Sequence, residues 1–363
     1  AWLQNAWYVV AEPFEVEAGK LCARTILGKN VVVFRTESGQ LTALLNRCPH
    51  RFLPLSAGKV CGESIRCGYH GARYDTAGKC VEIPGQGAIP DIRVKSYPVL
   101  QRYGFIWIWM GDPANSSDTS TIPDGIHMGD DPEWDCLSGR ILSIQANYHL
   151  IHDNLQDATH LEFVHPETLG SEYARLVRTA TRGSGEDNIP FTYNVHNDRH
   201  MTWHIRANNG MMGPFFDHAL GVKYGRKAWG EPADWHVDVD WWAPSSWNFH
   251  PKCKPAGALY EDGVDFVNIS VLTPETENST HYFYKDAQRF APENRKMTEM
   301  WHEGINFAFK QDEFIVQEQQ KLIANNDLLA LEPALFSGDQ LAIRTRKSMA
   351  KLIREEQNSA SRS

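Results

Sequence analysis

What this 363-residue sequence has little of already narrows its possible functions. Positive charge is in deficit: 36 Lys and Arg stand against 45 Asp and Glu, a formal net charge of −9. A nucleic-acid-binding face needs a basic surplus, as does attraction to an anionic membrane, so neither partner is expected. Long apolar runs are missing too. The longest candidate, "FIWIWM" at 105–110, falls far short of the roughly 20 residues that span a bilayer. The opening stretch "AWLQNAWYVV" has no basic n-region and no cleavage signal, so a secretory peptide is not expected. Cysteine is sparse and odd in number, with seven in the chain. That fits reduced thiols and a cytoplasmic setting rather than a disulfide framework. There is no internal repeat and no low-complexity block.

What is there reads as two domains, because the length exceeds one ordinary core. "NVVVFR" (30–35), "ESGQ" (37–40) and "LTALLN" (41–46) predict strand, turn, strand, and "GFIWIWMGDP" (104–113) predicts another strand. The polar, proline-bearing "GDPANSSDTSTIPDG" (111–125) marks a boundary, giving domains at 1–115 and 116–363. Beyond it, "HLIHDNLQDATHLEFVH" (149–165) predicts helix. Residues 190–290 read as aromatic-rich antiparallel strands, 292–324 as a long helix, and "EEQNSASRS" as a frayed tail.

Two constellations carry chemistry. The first is "CPHR" at 48–51 and "CGYHG" at 67–71, a pattern C-x-H-x16-C-x2-H formed by Cys48, His50, Cys67 and His70. A structural zinc site pairs Cys with Cys in short knuckles. Here each loop offers one Cys and one His instead. That suits a two-iron, two-sulfide cluster in which one iron takes both thiolates and the other both imidazoles. Neutral imidazoles in place of thiolates raise the potential, so such a cluster accepts electrons readily. Gly68 and Gly71 are expected to let backbone approach the sulfides.

The second constellation is "HDNLQDATHLEFVH". On a helix, Asn154, Asp157 and His160 recur at i, i+3 and i+6. His165 lies about 140° from His160 on a regular helix. Pro166 pushes the residue before it out of the α region, so a bend at His165 is expected to bring the two together. Two histidines and one carboxylate with open positions form the Fe(II) triad that activates O2. For the carboxylate, Asp312 falls within the apolar stripe Met297, Trp301, Ile305, Ala308, Ile315 and Val316 of the late helix, where an unpaired charge is costly. Glu313 is the alternative. Asp157 is expected to accept the His160 ring N–H. Asp153 and Asp157 are like charges at i, i+4 that need compensation. His149 and His152 read as ordinary histidines.

With these motifs in this order, the chain resembles the Rieske non-haem iron oxygenases, and within them the aromatic monooxygenases of the vanillate O-demethylase and dicamba monooxygenase type. "NAWYVVAE" (5–12), "RYGFIWIWMGDP" (102–113), "DNLQDATHLEFVH" (153–165) and "LTPETE" (272–277) carry the resemblance with the cluster motif. It implies an α+β fold: an all-β Rieske domain, then a catalytic domain with a curved antiparallel sheet and flanking helices. It implies a head-to-tail homotrimer in which His70 of one chain reaches Asp157 of the next, with Asn154 close to the mononuclear iron. It also implies a separate reductase with NAD(P)H, flavin and a ferredoxin-type cluster.

The reaction so implied puts one atom of O2 into a small aromatic substrate and releases the other as water. An aryl methyl ether would yield a phenol and formaldehyde; methyl hydroxylation is its counterpart. Ring hydroxylation and other oxidations by the same family are the alternative, and a pure electron carrier is opposed by the second constellation. Trp241, Trp242 and Ser270 are expected to give the pocket a more apolar wall than vanillate or dicamba calls for.

Overall fold

The computed structural model describes residues 1–139, 141–166, 191–325 and 327–360. The expected strand region begins at 190 and the expected tail ends at 363; residue 190 and residues 361–363 lie outside the described residues. The chain divides into two compact units. Ala1–Ile122 with Thr273–Glu277 form one, and Pro123–Leu272 with Asn278–Ser363 form the other.

The first unit is all-β. Its strands are β1 (Trp7–Ala11), β2 (Leu21–Ile26), β3 (Lys29–Arg35), β4 (Leu41–Leu45), β5 (Lys59–Cys61), β6 (Ser64–Arg66), β7 (Arg73–Asp75), β8 (Cys80–Glu82), β9 (Ser96–Tyr97), β10 (Val99–Arg102) and β11 (Phe105–Trp109). They pair antiparallel in three small sheets, β1-β11-β10, β2-β3-β4-β9 and β5-β6-β7-β8. The predicted strands at 30–35, 41–46 and 104–113 are β3, β4 and β11. The apolar run Val31–Phe34 is buried throughout, as a strand covered on both faces requires. Val32, Phe34, Leu44, Leu55, Ile65 and Tyr74 make a core that also encloses Cys48 and Cys67. The two thiols are thereby fixed by packing, and only the loop tips beyond them reach solvent.

The second unit is built on one antiparallel sheet. Among the described residues its strands are β12 (Asp135–Ser138), β13 (Leu142–Ile144), β14 (Phe191–Asn197), β15 (His200–Gly210), β16 (Ala233–Trp242), β17 (Ser246–Pro255), β18 (Val264–Thr276, whose residues from Thr273 on count with the first unit) and β19 (Ser279–Gln288). The order is β12-β19-β18-β17-β16-β15-β14, with β13 also on β19. Among the described residues the helices are α1 (Tyr148–Gln156), α2 (Leu161–Val164), α3 (Pro214–Lys223), α4 (Arg295–Ile323) and α5 (Gln340–Ala360). Helix α4 packs on β19 and α1, and α5 packs on α1. Alternation decides the faces: Trp235, Val237, Val239 and Trp241 are buried, while Asp238, Asp240 and Trp242 between them are half-exposed.

Three sequence expectations need correction. The helix at 149–165 breaks at Asp157, whose φ of −111° and ψ of 107° are extended, rather than first at His165. The Asp157 side chain caps a new 3-10 turn, Ala158–His160, before α2 begins. The tail does not fray where expected, since α5 continues through Ala360. Trp242 is not part of the wall of the cavity described below: it stacks on His200 with ring centroids 5.2 Å apart.

Candidate metal centres and substrate pocket

The first site lies on the loops 48–53 and 67–72. Each is pinned by backbone hydrogen bonds: the Cys48 N–H donates to Leu53 O, the Phe52 N–H to Cys48 O, and the Cys67 N–H to Ala72 O. Cys48 and Cys67 are 3% exposed, while His50 and His70 face solvent with ring centroids 4.5 Å apart. Two thiols at the base and two imidazoles at the rim match the donor set of a two-iron, two-sulfide cluster with mixed ligation.

Burial pushes the Cys67 thiol up, and Cys48 beside it pushes further; hydrogen bonds from the Tyr69 and His70 backbone oppose this. The Tyr74 hydroxyl lies 3.3 Å from the Cys48 sulfur, and burial raises its pKa above the ordinary phenol value. Paired buried thiolates are costly without a cation, and iron supplies one. The backbone itself also calls for glycine at both positions. A Cβ on Gly68 would sit 2.5 Å from the Ala57 carbonyl oxygen, and Gly71 has a φ of +76°.

The second site gathers residues from the α1–α2 segment and from α4. His160 Nε2 lies 3.6 Å and His165 Nε2 3.2 Å from Asp312 Oδ1, and the three ligand atoms fall within 4.8 Å of one another. His165 is 1% exposed, and its Nδ1 lies 2.8 Å from Gln311 Oε1. With the amide oxygen there, Nδ1 carries the proton and Nε2 presents a lone pair. That Nε2 has no hydrogen-bond partner although it is buried. Two lone-pair atoms 3.2 Å apart, His165 Nε2 and Asp312 Oδ1, repel unless a cation sits between them. The donor set therefore fits a divalent transition metal, and an iron bound there with open positions has the ligand set of the O2-activating triad. Burial lowers the His160 pKa. Burial also opposes protonation of His165, but the Asp312 carboxylate outweighs it and the net direction is up.

The neighbours differ from expectation in instructive ways. Asn154 Nδ2 donates to Asp312 Oδ1 at 3.0 Å, so it orients that carboxylate. The Asp157 carboxylate does not bond the His160 ring among the described residues. Its Oδ1 accepts from the Thr159 backbone N–H at 2.7 Å and from the Thr159 hydroxyl at 2.6 Å, while its charge still favours a protonated His160. The reason is the helix break, which turns the carboxylate inward as a cap. Asp153 finds its compensation in a bidentate pair with Arg346 of α5, at 2.6 and 2.8 Å. Gln311 was not singled out in the sequence. Its adjacency to Asp312 on one helix is the only signal that could have marked it. His149 and His152 take no part in the triad; Nδ1 of His149 and both ring nitrogens of His152 are buried without partners.

A cavity of about 600 Å³, part of it open to solvent, adjoins the triad. Trp203, Trp247, Phe249 and Phe309 supply its aromatic wall. Of the three residues expected there, only Ser270 lines it, and it does so beside Asn268 as part of a polar patch. Trp241 is buried behind.

Known proteins resemble this chain in sequence and fold. Residues 144–355 match the vanillate O-demethylase oxygenase C-terminal domain, and residues 6–98 match the Rieske 2Fe–2S domain. The chain is 35% identical over 335 residues to the iron–sulfur subunit of a toluene-4-sulfonate monooxygenase system from Comamonas testosteroni, covering 89% of each. It is 33% identical over 358 residues to the oxygenase component of dicamba O-demethylase from Stenotrophomonas maltophilia, covering 97% of this chain and 98% of that one. It is 31% identical over 357 residues to the oxygenase component of a chloroacetanilide N-alkylformylase from Rhizorhabdus wittichii, covering 98% and 97%. The crystal structure of dicamba monooxygenase bound to dicamba superimposes with a TM-score of 0.84 at 30% identity, over 98% of this chain and 99% of that one.

Proposed function

The chain belongs to the Rieske non-haem iron monooxygenases, as an oxygenase component of the vanillate O-demethylase type, and on that footing we propose that it oxidises a small aromatic substrate at an O-methyl or methyl carbon. The cavity wall carries this reading. Trp203, Trp247, Phe249 and Phe309 offer a benzene-sized substrate ring faces to stack on, beside the corner formed by His160, His165 and Asp312. Relatives named for dicamba, toluene-4-sulfonate and a chloroacetanilide lend support, since all three are substituted benzenes.

The proposed ligands are Cys48, His50, Cys67 and His70 for the cluster and His160, His165 and Asp312 for the mononuclear iron. When bound, these centres store electrons and activate O2. The protein's part is positional. Gln311 fixes the His165 tautomer, Asn154 aims Asp312, and Asp157 shapes the turn that presents His160. The apolar walls exclude water, so that the oxidising equivalents go to the bound substrate. His50 and His70 stand at an exposed tip flanked by Phe52 and Tyr69, open to a reductase or ferredoxin donor. The same exposure supports a homotrimer with electron transfer from His70 of one copy toward Asp157 of the next, and the seven sparse cysteines suit work in the cytoplasm.

The test is a reaction with 4-methoxybenzoate and a ferredoxin-type reductase. Formaldehyde, consumed O2 and consumed NADH in equal amounts support demethylation; a ring-hydroxylated product without formaldehyde refutes it. The mass in solution should be three times 41.2 kDa. A monomer that stays active at high dilution refutes transfer between subunits.

A further inference from the structure

Behind the polar patch of the cavity lies a buried carboxylate–imidazole pair that the chemistry above does not use. Asp286 is 0% exposed. Its Oδ2 lies 2.7 Å from His302 Nδ1, and its Oδ1 accepts from Asn268 Nδ2 at 2.8 Å. Asn268 is 3% exposed and lines the cavity, as does Ser270 at 1%. The Ser270 hydroxyl donates to Asn268 Oδ1 at 2.7 Å. Because its single proton is spent there, the Tyr282 hydroxyl, 2.8 Å away, must donate to Ser270.

The chain of bonds therefore has one direction: Tyr282 to Ser270 to Asn268 to Asp286, which His302 holds from the other side. A carboxylate accepts and cannot donate. It forces the Asn268 amide to turn its nitrogen toward Asp286 and its oxygen toward Ser270. Both ends of the amide are then determined. An amide nitrogen has two hydrogens, and the second on Asn268 has no partner among the described residues. An apolar cavity thus keeps one oriented N–H donor, and a desolvated charge is retained to orient it.

We infer that Asn268 is a specificity-determining residue that donates its second amide N–H to an acceptor oxygen on the substrate, and that Asp286 and His302 are positioning residues that prevent the amide from turning over. The ligand class is an aromatic compound bearing a carbonyl or oxyanion oxygen besides the carbon to be oxidised. This rests on the aromatic-substrate reading of the cavity and deepens it. The acceptor can come from a neutral carbonyl or from a carboxylate, and the probes separate the two.

The experiment measures equilibrium dialysis of three probes against the iron-loaded holoenzyme: 4-methoxyacetophenone, 4-methoxybenzoate and 4-methylanisole, which lacks the acceptor. The wild-type protein should bind at least one acceptor-bearing probe about tenfold more tightly than 4-methylanisole. Whichever of the two gains more identifies the neutral or the anionic source. The infrared carbonyl band of bound 4-methoxyacetophenone should shift to lower frequency. In Asn268→Asp, which removes the donor with little change in size, the ratio of ketone to 4-methylanisole affinity should fall about tenfold. Asp286→Asn should lower the same ratio, because an amide there tolerates either orientation of Asn268. A merely structural role for Asp286 would instead weaken all three probes alike and lower iron content.

Equal binding of all three probes by the wild-type protein, with an unshifted carbonyl band, overturns the assignment of Asn268 and leaves the aromatic cavity standing. This comparison needs no variant, so misfolding of a variant cannot shield the proposal. Binding of none of the three overturns the cavity reading and this inference together.

Discussion

Replacing Gln311 by Ala removes the acceptor 2.8 Å from His165 Nδ1 and leaves an imidazole that is 1% exposed with a buried, unpaired N–H. Leaving such a donor unsatisfied costs about 1–3 kcal/mol. The ring escapes that cost by moving its proton to Nε2, where Asp312 Oδ1 waits 3.2 Å away to accept it. A metal then has to displace that proton before it can use the lone pair. The tautomer penalty therefore appears in full as lost affinity, about 10–100-fold, the range seen for partners that orient metal-bound imidazoles. The assay is competition with a ferrous chelator on protein stripped of its mononuclear iron, with acid-labile sulfide as the internal reference for the cluster. Gln311→Glu keeps an acceptor and should retain the wild-type affinity or exceed it. An alanine variant that holds Fe(II) within twofold of wild type, at unchanged sulfide content, would refute the reasoning.

Other outcomes follow from the same geometry. Asp312→Ala should lower iron from about three to about two per chain while sulfide stays at about two, by elemental and sulfide analysis; retained third iron would move the carboxylate role to Glu313. Asp157→Ala removes the cap on the 158–160 turn and should cost about 1 kcal/mol in unfolding experiments, with both metals retained and turnover lost. Gly68→Ala places a Cβ 2.5 Å from a backbone oxygen that cannot swing aside, so sulfide per chain should drop sharply. Burial and the Arg346 charge push His149 down to about 3, and a depressed pKa gives stability that is complete above pH 6.5 and lost as pH falls. His149 should therefore contribute a loss of at most about 2 kcal/mol between pH 6.5 and pH 5 in unfolding experiments, added to that of His152, whose pKa burial also depresses, and His149→Gln should reduce the slope by its share.

Much of the candidate chemistry was legible because it is local. The cluster motif compresses two Cys and two His into two short loops, and their residue types alone separate mixed ligation from a zinc knuckle. His160 and His165 sit five residues apart beside a proline, and the late Asp312 stands out as a charge on an apolar stripe. The strands at 30–35, 41–46 and 104–113 were readable from β-branched and aromatic runs bounded by turn residues.

The sequence by itself determined the order of the two units and the family, and it pointed to the candidate donor sets. Tertiary structure decided which groups those donors face. The break at Asp157 came about two turns earlier than proline placement implied, because a side-chain cap competes with helix propagation on equal energetic terms. Asn154 holds Asp312 across 158 residues of chain, and Asn268 meets Asp286 across a strand pair. No periodicity within one segment encodes such contacts. Trp242 and Trp247 look alike in sequence, yet one stacks on the outer face and the other lines the cavity, since strand alternation and sheet register assign them to opposite sides. Spacing specifies what a residue can ligate, whereas orientation and protonation depend on neighbours that only the folded chain supplies.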